Sequence, residues 1–160
     1  MGLDMYLEAR RFVSGYAHSD EAERTLFDDV AKSIGMQDMH DERYINISVN
    51  VAYWRKANAV HDWFVKNVQD NEDDCRSYYV SREKLRELAD ICRKVVEAGT
   101  PDVAAELLPT ASGFFFGGTE YDEYYFEQVD WTAKRLSELL VNIPEKSSLA
   151  GVDFYYSSSW

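Results

Sequence analysis

The stretch Tyr44–Tyr53 alternates in character so regularly that only a β-strand accommodates it. Ile45, Ile47, Val49, Val51 and Tyr53 fall on one side, with Tyr44, Asn46, Ser48, Asn50 and Ala52 on the other. β-Branched side chains at every second position suit a pleated, half-buried surface, so this segment reads as a central strand with one buried face. Asn46, Ser48 and Asn50 then share the opposite face. That face either stays solvated or, if a strand at Leu3–Ala9 pairs alongside, gathers Tyr6, Glu8 and Arg10 into one polar surface. From Arg55 the period becomes helical: Ala57, Val60, His61, Phe64, Val65 and Val68 form one apolar stripe. A strand that runs directly into an amphipathic helix calls for a sheet covered by a helical layer.

The remaining segments fit that plan. Leu3, Met5, Leu7 and Ala9 alternate with Asp4, Tyr6, Glu8 and Arg10, and Gly15 breaks the pattern. Ser19 is placed to cap a helix reaching Ile34, with Leu26, Phe27, Val30 and Ile34 as its stripe and Gly35 as its stop. Met36–Glu42 reads as a polar loop. A short strand at Ser77–Val80 leads to a helix capped at Ser81, with Leu85, Leu88, Ala89, Cys92, Val95 and Val96 inward. Gly99-Thr100-Pro101 supplies a stop, a cap and a first-turn proline for a short helix ending near Leu108. Pro109–Gly118 is a compact loop around Phe114-Phe115-Phe116. Thr119 with Asp122 resembles a capping box for a helix from Glu120 to about Asn142, with Tyr125, Val129, Leu136 and Leu140 inward. After a polar loop, Asp153–Trp160 reads as a final strand. The chain of 160 residues shows no repeat or linker. It is expected to be a single α+β domain, 1–160: a small, mainly antiparallel sheet of about three to four strands, covered on one face by about four to five helices.

Charge and cysteine usage narrow the partners. With 29 acidic against 17 basic residues the net charge is −12. Such a surface repels phosphates, which disfavours direct nucleic-acid binding and suits a basic protein partner. Cys75 and Cys92 form no metal-binding or disulfide pattern, and Cys92 falls on an apolar stripe. No apolar run approaches the ~20 residues of a membrane span, and Met1-Gly2-Leu3-Asp4 does not open a signal peptide, so a cytoplasmic setting is expected.

Several side chains could carry chemistry. His61 interrupts an apolar stripe, so its ring nitrogens need partners; it serves either as a hydrogen-bonded structural residue or as an acid–base group. Arg55 and Lys56 sit at the strand-to-helix junction, where backbone donors also favour anions, although such pairs also make surface ion pairs. With Trp54, Asn58 and Trp63 nearby, the cluster combines stacking, amide and cationic groups suited to a nucleotide-like ligand. The loop Asp70–Asp74 lacks the glycine and terminal glutamate of a calcium loop, carrying Arg76 and Ser81 at those positions. The start of the Glu120–Asn142 segment is rich in aromatic and acidic groups, including Tyr121, Glu123 and Glu127. Phosphate-loop, dinucleotide, zinc-protease and serine-hydrolase motifs are missing. No catalytic set, metal or cofactor is therefore assigned.

Certain strings are distinctive: Gly2-Leu3-Asp4-Met5-Tyr6-Leu7; Tyr53-Trp54-Arg55-Lys56-Ala57-Asn58 continuing to His61, Trp63 and Phe64; Leu107-Leu108-Pro109-Thr110; Ser112-Gly113-Phe114-Phe115-Phe116-Gly117; Tyr121-Asp122; and Ser158-Ser159-Trp160. On these the chain resembles a family of small bacteriophage and prophage proteins along nearly its whole length. The resemblance implies a phage accessory protein in the host cytoplasm and brings no mechanism with it. Small phage proteins of this kind often counter host defences, which gives three readings. One sequesters a small nucleotide-type immune signal through Trp54, Arg55, Lys56, Asn58, His61, Tyr121 and Trp160. Another is an acidic, nucleic-acid-mimicking inhibitor of a host defence nuclease, acting through Asp70, Glu72, Asp73, Glu123 and Glu127. The third is a small hydrolase using His61. A homo-oligomer is compatible with each.

Overall fold

β1 (Asp4–Ser14) organises the sheet because both of its long neighbours pair with it. β2 (Tyr44–Arg55) lies along one side, and β4 (Val152–Ser159) along the other, with the short β3 (Tyr78–Val80) beyond it. The order is β2-β1-β4-β3 and every pairing is antiparallel. The computed structural model describes residues 2–38, 42–143 and 151–160. Part of the expected Met36–Glu42 loop, and most of the loop before β4, lie outside the described residues. Five helices complete the described chain: α1 (Glu21–Ser33), α2 (Asn58–Asn67), α3 (Arg82–Ala98), α4 (Pro101–Leu107) and α5 (Glu123–Asn142). The fold is α+β, as the periodicities predict.

Alternation in β1 sorts its residues cleanly. Leu3, Met5, Leu7 and Ala9 are buried beneath the helices with Phe154 and Tyr156 of β4. Asp4, Tyr6, Glu8 and Arg10 lie on the outer face. There Glu8 pairs opposite Asn50 and Arg10 opposite Ser48, which makes the polar surface that pairing of the first two strands implies. Ser48 Oγ and Arg10 Nε both donate to Glu8 Oε2 at 2.8 Å, and these bonds, Ser48's first, hold the Glu8 carboxyl below its ordinary pKa. Each large apolar side chain buried from the inner face contributes about 1.5–3 kcal/mol.

β2 departs from the expected pattern at one point. Leu7 faces Ala52 but Glu8 faces Asn50, which leaves Val51 as an extra, bulged residue. One added residue exchanges the two faces of everything after it. Tyr53, expected inside, is therefore 47% exposed on the outer face beside Tyr6, whereas Trp54 turns into the core and is 1% exposed. Val49 keeps the helix-side face but lies beyond the helical cover, 55% exposed. Ile45 and Ile47 pack against a smaller cluster of Val13, Phe27 and Ala31 formed with α1.

The helix starts follow local capping. Asp20, one residue after the expected Ser19, caps α1 by accepting from the Glu23 N–H, while the Ser19 hydroxyl donates to Ser14. Asp122 rather than Thr119 caps α5, accepting from the Tyr125 N–H at 3.0 Å. Ser81 caps α3 as its spacing implies. α3 packs chiefly on α5, and burial pushes its Cys92 thiol up to about 12, so the thiol stays protonated and packs as a small hydrophobe. Among the described residues no helix is long and apolar enough to cross a membrane.

Candidate functional site

α2 is more deeply enclosed than a surface helix with one apolar stripe: Asn58, Ala59, Val60, His61, Trp63 and Phe64 are all buried. The loop 109–118 covers its first turn, and Asn58 fastens that loop down. Its Nδ2 donates to the carbonyls of Phe116 and Gly118, at 3.1 and 2.7 Å, and its Oδ1 accepts from the Ala111 N–H at 3.2 Å. The amide has thus spent both donors and an acceptor on the backbone of one loop.

A cavity of about 220 Å³ lies between the first turn of α2, Gly117-Gly118 of that loop and the start of α5. Ala57, Val60, Tyr125 and Val129 supply apolar lining; Lys56, Glu120, Asp122, Tyr124 and Gln128 supply the polar groups. Asp122 is occupied as the α5 cap, and the Tyr124 hydroxyl donates to the Arg55 carbonyl. Burial raises the Tyr124 phenol above its ordinary pKa, with the nearby Glu127 carboxylate adding to the effect, so it remains a donor. Among the described residues, the side chains of Lys56, Glu120 and Gln128 have no hydrogen-bond or ion-pair partner.

The backbone concentrates two features at this cavity. Lys56 has φ +56°, a left-handed conformation that costs a residue with a Cβ on the order of 1–2 kcal/mol. Its N–H donates to the Leu3 carbonyl at 2.8 Å, which holds the turn between β2 and α2. Gly117, at φ +88°, passes so close that a Cβ there would lie 3.2 Å from Lys56 Cβ. The N-terminus of α2 also lacks a side-chain cap. Its N-cap, Ala57, has no side chain to offer the first-turn N–H groups, and no acid occupies that turn.

Of the expected ligand contacts, the fold brings Lys56 and Asn58 to the cavity and directs the others elsewhere. Trp54 is a core residue, its indole N–H donating to Thr132 Oγ1 at 2.8 Å. Arg55 reaches Asp4 Oδ1 at 3.4 Å across the outer sheet face. Tyr121 supports the rim, its hydroxyl accepting from the Thr110 N–H and its ring meeting the edge of Tyr125 at 5.0 Å. With Val51 bulged, Trp54 falls on the helix-side face and Arg55 on the outer face of the sheet.

His61 and Trp160 belong to a separate network that runs from the core out to the surface. Tyr156 Oη lies 2.7 Å from His61 Nδ1, and Asp73 Oδ2 lies 3.0 Å from Nε2. A carboxylate only accepts, so in the neutral ring Nε2 carries the proton toward Asp73 and Nδ1 accepts from the Tyr156 hydroxyl. Burial, and then the Asp73 charge, raise the Tyr156 phenol well above its ordinary pKa, which keeps it in the donating form. Trp160 Nε1 donates to the other Asp73 oxygen at 3.1 Å, and the Phe116 ring covers the histidine edge-on at 5.0 Å. His61 is 1% exposed with both nitrogens engaged, an arrangement that orients a core and gives a substrate no approach.

The expected acidic surface is also partly committed. Asp73 serves the histidine, and Glu72 pairs with Arg76 at 2.9 Å. Asp70, Glu123 and Glu127 are exposed. Among the described residues no group of three His, Cys, Asp or Glu side chains is placed to hold a metal ion. The contributions of Glu120, Tyr124 and Gln128 have a faint trace in the sequence: Gly117-Gly118 ends the aromatic turn just before a segment of mixed acidic and aromatic character. Comparison with known proteins returns no family model, no curated protein and no solved structure that matches the chain.

Proposed function

We propose that this chain is a non-enzymatic binding protein that holds a small nucleotide-type ligand in the cavity between α2 and α5. On the phage resemblance, that ligand is an immune signal of the bacterial host. The observation that carries the reading is Lys56: a left-handed, strained residue that lines the cavity just before an uncapped helix, its side chain without a hydrogen-bond or ion-pair partner among the described residues. Backbone strain clusters where function requires it, and uncapped N–H groups beside a cation suit a phosphate. Opposite them, Glu120 and Gln128 can accept from and donate to a base edge, and the Tyr124 ring adds aromatic surface. A volume of about 220 Å³ falls below the roughly 300–1,000 Å³ typical of drug-sized sites. That favours a mononucleotide-sized moiety over a bulky dinucleotide.

The other two readings draw less support. The histidine of the hydrolase reading is sealed, and the acidic-inhibitor reading has Asp73 committed to His61 and the exposed Glu72 already paired with Arg76.

Thermal denaturation with a panel of mononucleotides, cyclic nucleotides and ADP-ribose derivatives tests the proposal. A true ligand at 100 times its Kd adds about 2.7 kcal/mol of stability, which raises Tm by roughly 5–10 °C for a chain of this size. Lys56→Gly should abolish that shift while leaving the free protein as stable as before, or more stable by about 1 kcal/mol, because glycine adopts the left-handed conformation without strain. No shift across the panel, or a full shift in Lys56→Gly, counts decisively against the site. Recovery of the ligand unchanged after heat release supports binding; recovery of a product shows turnover.

A further inference from the structure

β2 is an edge strand, and it lacks the usual protection. From Tyr44 to Trp54 it contains no charged residue and no proline, the two devices that most often guard an edge. The opposite edge, β3, is only a short strand. Arg135 of α5 reaches the β2 edge and donates from Nε to the Val51 carbonyl at 2.7 Å, which occupies the bulge; among the described residues no strand pairs with the outer edge of Tyr44–Asn50. Apolar surface flanks this open stretch on both sides of the sheet. On the outer face Phe12 (52% exposed) stacks on Tyr44, ring centroids 5.4 Å apart; on the helix side is Val49.

We infer that the Tyr44–Asn50 edge is an interface for a second copy of this chain, paired antiparallel about a two-fold axis at Ile47 to make one continuous sheet. Antiparallel pairing places residues of like facing opposite each other. A register centred on Ile47 sets Ile47 against its own copy, Ile45 against Val49, Asn46 against Ser48 and Tyr44 against Asn50. Apolar groups then meet apolar groups on the helix side, and amides and hydroxyls meet on the outer side. No like charges are opposed, which matters for a chain of net charge −12 whose copies repel over most of their surface. The same neutrality argues against a basic protein as occupant, because this edge presents no carboxylate to it. A two-fold contact of this kind is self-complementary and closes at the dimer.

Two measurements test the interface, and neither depends on the cavity. Sedimentation velocity over a concentration series should show a monomer–dimer equilibrium. Val49→Lys, at an exposed position, should weaken it by about tenfold or more with an unchanged melting temperature at concentrations where both proteins are monomeric. Mild oxidation of Ile47→Cys in a Cys75→Ser background should then give a disulfide-linked dimer. Directly opposed Cα atoms lie about 4.5–5.5 Å apart, within disulfide reach. Val49→Cys in the same background should stay monomeric, because its own copy is displaced by about 13 Å along the strands. A wild-type monomer at every concentration overturns the proposal. So does an undiminished dimer in Val49→Lys, or crosslinking at Val49→Cys as readily as at Ile47→Cys.

Discussion

Asn58 and His61, three residues apart on α2, show how much of this domain rests on polar side chains that water cannot reach. Each has found its partners on segments distant in sequence: Asn58 on the loop 109–118, His61 on Tyr156 and Asp73. Truncating either would strand buried donors and acceptors, and the stranded groups cost more than the bonds themselves were worth. Asn58→Ala should therefore destabilise the protein by about 3 kcal/mol in urea denaturation. It should also speed hydrogen exchange at the Ala111 amide before the core unfolds. A loss well under 1 kcal/mol would show that the loop does not depend on this amide. Lys56 differs in kind: its backbone is strained and its side chain has no hydrogen-bond or ion-pair partner among the described residues, so on the proposed function its contribution belongs to binding rather than to stability.

At the level of elements, packing at Gly15 is tight enough to measure. A Cβ at that position would lie 2.5 Å from the Phe27 ring, so Gly15→Ala forces apart the join between β1 and α1. Overpacking of this kind costs about 1–3 kcal/mol. The cost should appear as a lowered urea midpoint, with Gly118→Ala, which meets open space, as the neutral control. Most elements were legible in the sequence because their signals are local. Period two in β1, period 3.6 in the helices, and the cap at Ser81 all act within a few residues. The polar outer face was legible only as one of two alternatives, because the sequence does not fix which strand lies beside β2; the register sets Glu8 and Arg10 against Asn50 and Ser48. The bulge was not legible. Valine and tyrosine continue the alternation through Val51 with no glycine or proline to mark a break, so the pattern puts Tyr53 on the buried face and leaves Trp54 among the ligand contacts at the helix start. The candidate site was legible only at Lys56 and Asn58. Its other wall comes from α5, and nothing local announces that Gly117-Gly118 and Gln128 meet the start of α2.

For the molecule as a whole, two buried phenols, Tyr125 on α5 and Tyr156 on β4, tie stability to alkaline pH. Burial raises the pKa of both Tyr125 and Tyr156. A raised phenol pKa means the folded state prefers the neutral form. Its contribution is complete below the unfolded value of 10.0 and is lost as pH climbs above it. Tyrosinate absorbance should accordingly rise in two phases, the last of the 11 tyrosines ionising only as circular dichroism reports unfolding. Ionisation of all 11 in a native-like spectrum would show that neither phenol is sealed. The junction of sheet and helices carries a reporter of another sort. Trp54 from β2 and Trp131 from α5 meet edge to face, ring centroids 5.6 Å apart, with one indole enclosed and the other 39% exposed. The two are close enough to exchange excitation, and their surroundings differ in polarity. The colour of the protein's emission thus follows how firmly α5 is seated against the sheet, and α5 forms one wall of the cavity.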